Sequence, residues 1–261
     1  MNGGKDTANK WKEKKQMLLF YLRHGDPIYN PDSLTPLGLR QADALAKRLA
    51  LYGLDKIFTL SSNCAVFTAQ PTCELLHMTP TVLDWMNESY AARDFGSKLE
   101  DGKWSWSFAN PKYVTIFNSK EIRALGEEWA LAECFEDTGF AAGLKRINAE
   151  TDAFLETLGY RHDRENCRYE AIGYSPERVA VFAHQGFGLS FLASLLDIPY
   201  PYFSTHFDMS HSGMTVINFS AHFDYVYPKV LQLSNDSHLY REGLPTKYIT
   251  GFTFKKLPPR L

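Results

Sequence analysis

Apolar residues are arranged along the chain in two ways. Met17-Leu-Leu-Phe-Tyr-Leu22 and Val179-Ala-Val-Phe-Ala183 are short unbroken runs, the pattern of strands buried on both faces. Between and after them, apolar positions recur at helical spacing. Ala42, Leu45, Ala46 and Leu49 share one face of a helix that Thr35 can cap and Pro36 can open, with Gly53 as a left-handed stop. Asp55 to Leu60 reads as the next strand. Strand, loop, helix and strand make a βαβ unit, which favours a parallel sheet.

The same reading predicts a helix from about Ala65 to His77 and a short strand from Thr81 to Asp84, leading into Trp85-Met86-Asn87-Glu88. From about Lys98 to Ser119 the periodicity fails while Trp104, Trp106, Phe108, Tyr113 and Phe117 crowd together. An irregular aromatic stretch of this kind is either a lid over a site or a surface excursion that buries its own rings. Glu121 to Leu158 is expected to be mostly helical, with Phe140, Leu144, Ile147, Phe154, Leu155 and Leu158 on one face. Arg161 to Arg178 reads as a charged loop. A helix carrying Leu189, Leu192, Ala193 and Leu196 follows His184 and stops at Asp197-Ile198-Pro199. Met214 to Phe219 and Lys229 to Leu233 are the last expected strands. The expected architecture is a three-layer α/β/α sandwich with a mostly parallel central sheet: residues 17–261 form a single domain carrying an inserted aromatic flap at about 98–135, behind a disordered tail of residues 1–16.

Composition narrows the function classes. The chain has 261 residues, 44% of them hydrophobic, with 18 Phe, 14 Tyr and 5 Trp, enough apolar surface for a large core without disulfides or metal. Lys and Arg number 28 against 30 Asp and Glu, so no general field attracts nucleic acid or an anionic membrane. An anionic ligand must be held by a local cluster. The four cysteines, at 64, 73, 134 and 167, form no C-x-x-C pair, which suits a reducing compartment and a cytoplasmic location. No apolar run is long enough for a membrane span.

Two strand ends carry the chemistry. Leu22-Arg23-His24-Gly25 and Ala183-His184-Gln185-Gly186 each place a histidine at the carboxyl end of a buried strand, where open α/β sheets bind ligands. Glycine lets backbone amides approach an anion, a helix N-terminus adds its dipole, and Arg23 brings a fixed charge shaped for phosphate oxygens.

With Asn30 six residues after His24, the segment Leu34-Thr35-Pro36-Leu37-Gly38 leading to Gln41-Ala42 and Leu45-Ala46, and Phe182-Ala183-His184-Gln185-Gly186 later in the chain, the sequence resembles the histidine phosphatase superfamily, the phosphoglycerate mutase-like proteins. Gln185 stands where that family more usually has glycine. The resemblance implies phosphomonoester hydrolysis through a phosphohistidine on His24. Arg23, Asn30 and His184 are then phosphate ligands, with Gly186 beside them. A carboxylic acid protonates the leaving group and later activates water. Glu88 best matches the family's acid, and Asp84 is second. The implied partner is a small phosphorylated substrate, with neither cofactor nor metal. His206 and His211 lack recognisable metal-ligand spacing, and Gly186-Phe187-Gly188 lacks the rest of a dinucleotide fingerprint.

One position departs from the pattern. The family's second phosphate-binding arginine is missing from Ser61-Ser62-Asn63-Cys64-Ala65-Val66-Phe67-Thr68-Ala69. Counting from the serines puts Val66 in its place, and counting back from Thr68-Ala69 puts Cys64 there. Three readings follow: an active phosphatase with a relocated cation such as Arg93, a slow phosphatase for a less charged substrate, or a non-catalytic phosphate-ligand binder. A phosphoglycerate-type mutase is a weaker alternative. Arg93 also has a surface ion pair with Asp94 or Glu88 open to it, and Cys64 reads as a small buried residue.

Overall fold

The first apolar run forms strand β1 (Gln16–Arg23) in the computed structural model, which describes residues 16–173, 177–222 and 225–246. Except for Gln16, the expected N-terminal tail lies outside the described residues, as do residues 247–261. Strand alternation explains why β1 carries no polar face. Leu19 and Tyr21 pack into one core layer with Phe187 and Phe191, while Phe20 and Leu22 pack into the opposite layer with Leu45, Leu49 and Ile57. A small hairpin, β2 (Pro27–Tyr29) and β3 (Asp32–Leu34), then leads into α1 (Pro36–Tyr52). As the sequence predicts, the Thr35 hydroxyl accepts the Gly38 N–H, Pro36 opens the helix, and Gly53 ends it at φ 67°. Strand β4 (Lys56–Thr59), helix α2 (Asn63–Leu76) and the short β5 (Thr81–Val82) complete the first half.

Helix α3 (Glu88–Phe95) opens the aromatic region, which continues as a hairpin of β6 (Gly96–Lys98) and β7 (Trp104–Trp106), then α4 (Pro111–Phe117) and α5 (Lys120–Ala124). The aromatic residues divide between two jobs. Trp104, Trp106 and Phe108 line a cavity, with Trp106 and Phe108 stacked 5.4 Å apart. Phe117, Trp129 and Phe135 turn inward around Phe140, with ring centroids 5.3–5.6 Å from it. The expected long helix is shorter than its periodicity implied. Residues 126–135 make two 3₁₀ turns, entered through Gly126 at φ 54°, and α6 spans Phe140–Thr157. The segment read as a charged loop contains a third hairpin, β8 (Tyr160–Asp163) and β9 (Arg168–Ala171). Its charges mask a period of two: Tyr160 and Tyr169 are buried, while Arg161 pairs across the strands with Glu170 and Asp163 with Arg168.

Strand β10 (Arg178–Ala183) feeds α7 (Gln185–Leu195), which is buried on every side. Helix α8 (Tyr200–His206), strands β11 (Met214–His222), β12 (Tyr225–Val226) and β13 (Lys229–Asn235), and helix α9 (Ser237–Arg241) follow. The main sheet runs β5-β4-β10-β1-β11-β12-β9-β8, with β13 also paired to β11. Its centre, β5, β4, β10 and β1, is parallel, and helices cover both faces. The sequence-adjacent β1 and β4 are separated by β10, so the two histidine-bearing strands are neighbours in register, with Arg23 opposite Ala183. Beside β1 on its other edge lies antiparallel β11, whose incoming loop reaches the same end of the sheet. Among the described residues, no helix is long and apolar enough to cross a membrane.

Candidate active site

At the carboxyl ends of β1 and β10 the chain leaves the sheet beneath an open cavity of about 780 Å³. His24 is held there by its backbone: its N–H donates to Ala183 O at 2.9 Å, and its carbonyl accepts the Ser212 N–H at 3.0 Å. The ring is 1% exposed, and its Nδ1 donates to Gly25 O at 2.7 Å. Because a carbonyl can only accept, that contact assigns the proton to Nδ1 and leaves the Nε2 lone pair free. Burial, reinforced by the neighbouring His184 and Arg23, holds His24 well below the ordinary imidazole pKa. The ring is therefore neutral at physiological pH.

His184 faces His24 with ring centroids 4.6 Å apart, and burial lowers its pKa to about 4. The Tyr21 hydroxyl donates to its carbonyl, and Ser62 Oγ lies 2.8 Å from its Nε2. Arg23, 5% exposed, donates from Nη1 to Met209 O and from Nη2 to His211 Nε2 at 2.8 Å. Asp208 braces this arrangement by accepting from Gln185 Nε2 and from the Met209 N–H. Gln185 thus connects the second histidine motif to the arginine of the first.

Glu88 lies at the start of α3 with its carboxylate across the N-terminus of α7. Oε1 accepts the Gly186 N–H at 2.9 Å and Oε2 the Phe187 N–H at 2.7 Å. Burial raises its pKa to about 7, against the opposing pull of those two N–H groups and of Arg23. It is thus a carboxyl able to give and take a proton near neutrality. Asp84, the second choice, is exposed and outside the cavity lining.

Arg23, His24, Glu88 and His184 share this cavity, whereas Asn30 and Gly186 depart from expectation. Asn30 is exposed at the tip of the β2–β3 hairpin, and its neighbours Tyr29 and Asp32 line the cavity instead. The Gly186 amide is committed to Glu88, and the space a Cβ there would need is filled by Trp106 and Glu88, whose Oε1 would be 2.7 Å away. Gly25 is constrained in the same way. Its N–H donates to Thr68 Oγ1, and a Cβ would meet Gly38 O at 2.7 Å, so its small size serves the packing of α1 against the loop. Both glycine amides expected to face an anion are spent within the protein.

Of the two positions that the counts offer for the absent arginine, neither Val66 nor Cys64 lines the cavity, and Cys64 Sγ lies 3.6 Å from His184 Nε2. Arg93 is no substitute, because it pairs with Asp94 at 2.8 Å and does not line the cavity. Sequence reasoning missed His211, whose Nδ1 is 3.5 Å from Asp26 Oδ1 and whose ring is 5.4 Å from that of His24. No strand precedes it; β11 brings its loop beside β1, a placement without a local signal.

No protein-family model matches the sequence, and no curated protein does. Solved structures do resemble it. A mycobacterial glucosyl-3-phosphoglycerate phosphatase shares 17% identity over 84% of this chain and 99% of its own, with a TM-score of 0.53. A phosphoserine phosphatase from Entamoeba histolytica in complex with 3-phosphoglyceric acid shares 18% over 85% of this chain and 99% of its own, also at 0.53. A putative alpha-ribazole-5'-P phosphatase from Escherichia coli shares 16% over 84% and 97%, again at 0.53. With its central parallel strands, its helices on both faces and its two histidines at adjacent strand ends, the chain shares the phosphoglycerate mutase-like fold of these phosphatases.

Proposed function

We propose that the protein is a phosphomonoester hydrolase in which His24 Nε2 attacks phosphorus and carries the phosphoryl group. The observation supporting this most directly is the His24 ring itself, neutral, with Nδ1 tied to Gly25 O and the other nitrogen free in a cavity beside Arg23. Arg23 and His184 hold the equatorial oxygens as charge develops on them. Glu88 protonates the leaving oxygen and then removes a proton from the water that cleaves the phosphohistidine. Its pKa of about 7 lets one group serve both steps. Trp104, Trp106 and Phe108 form the wall on which a ring-bearing or apolar leaving group would rest.

The test is hydrolysis of p-nitrophenyl phosphate by wild type and His24→Ala. Loss of the nucleophile is expected to lower kcat by about 10⁴-fold or more; turnover that survives the substitution overturns the assignment. Trp104→Ala is expected to raise KM for p-nitrophenyl phosphate several-fold relative to KM for phosphoserine. An unchanged ratio removes the aromatic wall from substrate choice.

A second reading has its own observation. Among the described residues lining the cavity, Arg23 is the one Lys or Arg, while Asp32 and Glu88 both contribute carboxylates. A binder that has lost turnover fits this electrostatic balance. Tight binding of inorganic phosphate or vanadate without any wild-type hydrolysis would select it.

A further inference from the structure

A thiol buried beside two imidazoles offers a set of soft ligands. Cys64 Sγ and one ring nitrogen each from His24 and His184 all lie within 4.8 Å of one another, and all three residues are buried. We infer that His24, Cys64 and His184 form a coordination site for a thiophilic divalent cation, with Zn²⁺ the best fit.

The dimensions are those of such a site. Zinc–sulfur bonds of about 2.3 Å and zinc–nitrogen bonds of about 2.0–2.1 Å, at a tetrahedral angle, place sulfur and nitrogen about 3.6 Å apart. Cys64 Sγ and His184 Nε2 are 3.6 Å apart. The same bonds place two nitrogens about 3.3 Å apart, so with a present limit of 4.8 Å the ring of His24 has to close by at most about 1.5 Å. Two imidazoles and one thiolate leave a fourth position open toward the cavity for water or a ligand oxygen.

The surroundings support the ligands as well. A histidine that binds metal usually donates its other ring N–H to a carbonyl or carboxylate, which fixes the ring and its tautomer. His24 does this through Nδ1 and Gly25 O at 2.7 Å. The backbone of Cys64 is anchored by its N–H to Asp32 Oδ1 at 3.2 Å, and Asp32 also brings negative charge to the rim. Ser62 Oγ, now 2.8 Å from His184 Nε2, rotates away to free that nitrogen.

Binding breaks the Cys64 S–H bond and forms the sulfur–metal bond. The proton passes to solvent, and both histidines ligate through neutral nitrogens, so no electron changes hands. A metal here occupies the His24 lone pair, so Zn²⁺ reversibly blocks attack on phosphorus. This consequence alone rests on the phosphatase reading; coordination itself does not.

The experiment uses EDTA-treated full-length protein titrated with Co²⁺, which absorbs where Zn²⁺ is silent, followed by Zn²⁺ displacement. Expected are a near-ultraviolet thiolate-to-cobalt charge-transfer band saturating at one ion per chain, and its loss on adding Zn²⁺. Cys64→Ser is expected to abolish the band, and His184→Gln to abolish or greatly weaken it. Conversion of the exposed Cys134 and Cys167 to serine leaves it intact. No band in wild type, a band that persists in Cys64→Ser, or one lost with Cys134 and Cys167 overturns the site. If Cys64→Ser does not fold, the His184→Gln spectrum decides. Absorbance reports binding whether or not the protein hydrolyses phosphate, so failure of the metal site and failure of the phosphatase reading are separate results.

Discussion

Two helix N-termini point into the same cavity and are finished in the same way, yet they differ in what they can do. At α7, the Glu88 carboxylate takes the N–H groups of Gly186 and Phe187. At α2, the Asp32 carboxylate takes those of Asn63 at 2.6 Å and Cys64 at 3.2 Å. Each satisfies orphan donors and complements the helix dipole. The α7 carboxyl is buried enough to titrate near neutrality, so its proton is available to a reaction. The α2 end presents the neutral Ser62 to the cavity, with Cys64 buried beside His184, and burial pushes the Cys64 thiol up to about 12. A helix N-terminus is thus no guarantee of an anion site. Once an internal carboxylate fills it, an anion must be held by side chains, a task that the proposed function gives mainly to Arg23.

Changing each end in turn shows how far this contrast extends. The largest effect is expected from Glu88→Gln, which keeps the N–H contacts of one oxygen but removes the proton relay. It should lower kcat by about 10²–10⁴-fold for alkyl phosphates, and less for p-nitrophenyl phosphate, whose leaving group needs little protonation. In wild type, protonation of the leaving oxygen requires neutral Glu88, so a rate limited by that step falls as pH rises through about 7. Glu88→Gln abolishes this limb, while His24, neutral well below ordinary imidazole values, sets the acidic one. A variant that kept the wild-type profile would remove Glu88 from catalysis. At the other end, Cys64→Arg places a cation beside His184. It is expected to raise kcat/KM by about 10²-fold, the scale on which one preorganised donor acts in a charged transition state. No gain would mean that the cavity is built for a less charged ligand. The smallest effect is structural. Asp32→Ala should lower stability by about 1 kcal/mol, the usual cost of uncapping a helix, read as a shift in denaturant midpoint at unchanged slope. An unchanged midpoint would show that water replaces this cap without penalty.

How much of this was legible depended on whether the signal was local. The run from Met17 to Leu22, the Thr35-Pro36 helix start and the run ending at Ala183 each carry their own period or cap, and each appears where expected. His24 and His184 could be read because each directly follows such a run. The β8–β9 hairpin was hidden because its exposed positions are charged and its buried face, Tyr160, His162 and Tyr169, includes a histidine that reads as polar. His211 enters the site because β11 brings its loop beside β1, and Gln185, visible in the second motif, reveals its partner only through Asp208 on that distant loop. In the aromatic stretch, composition announced rings but not their division, since Trp106 and Phe117 look alike in sequence and face opposite duties.

The close approach of Gly25 to Gly38 bears on what the Arg-His-Gly triplet signifies. Its third residue is a spacer between a loop and the first turn of α1, required whether or not any phosphorus is ever attacked. A descendant of this architecture that had abandoned turnover altogether would still need it. The glycine therefore testifies to shape, and the proposed chemistry rests on the side chains of Arg23, His24, Glu88 and His184.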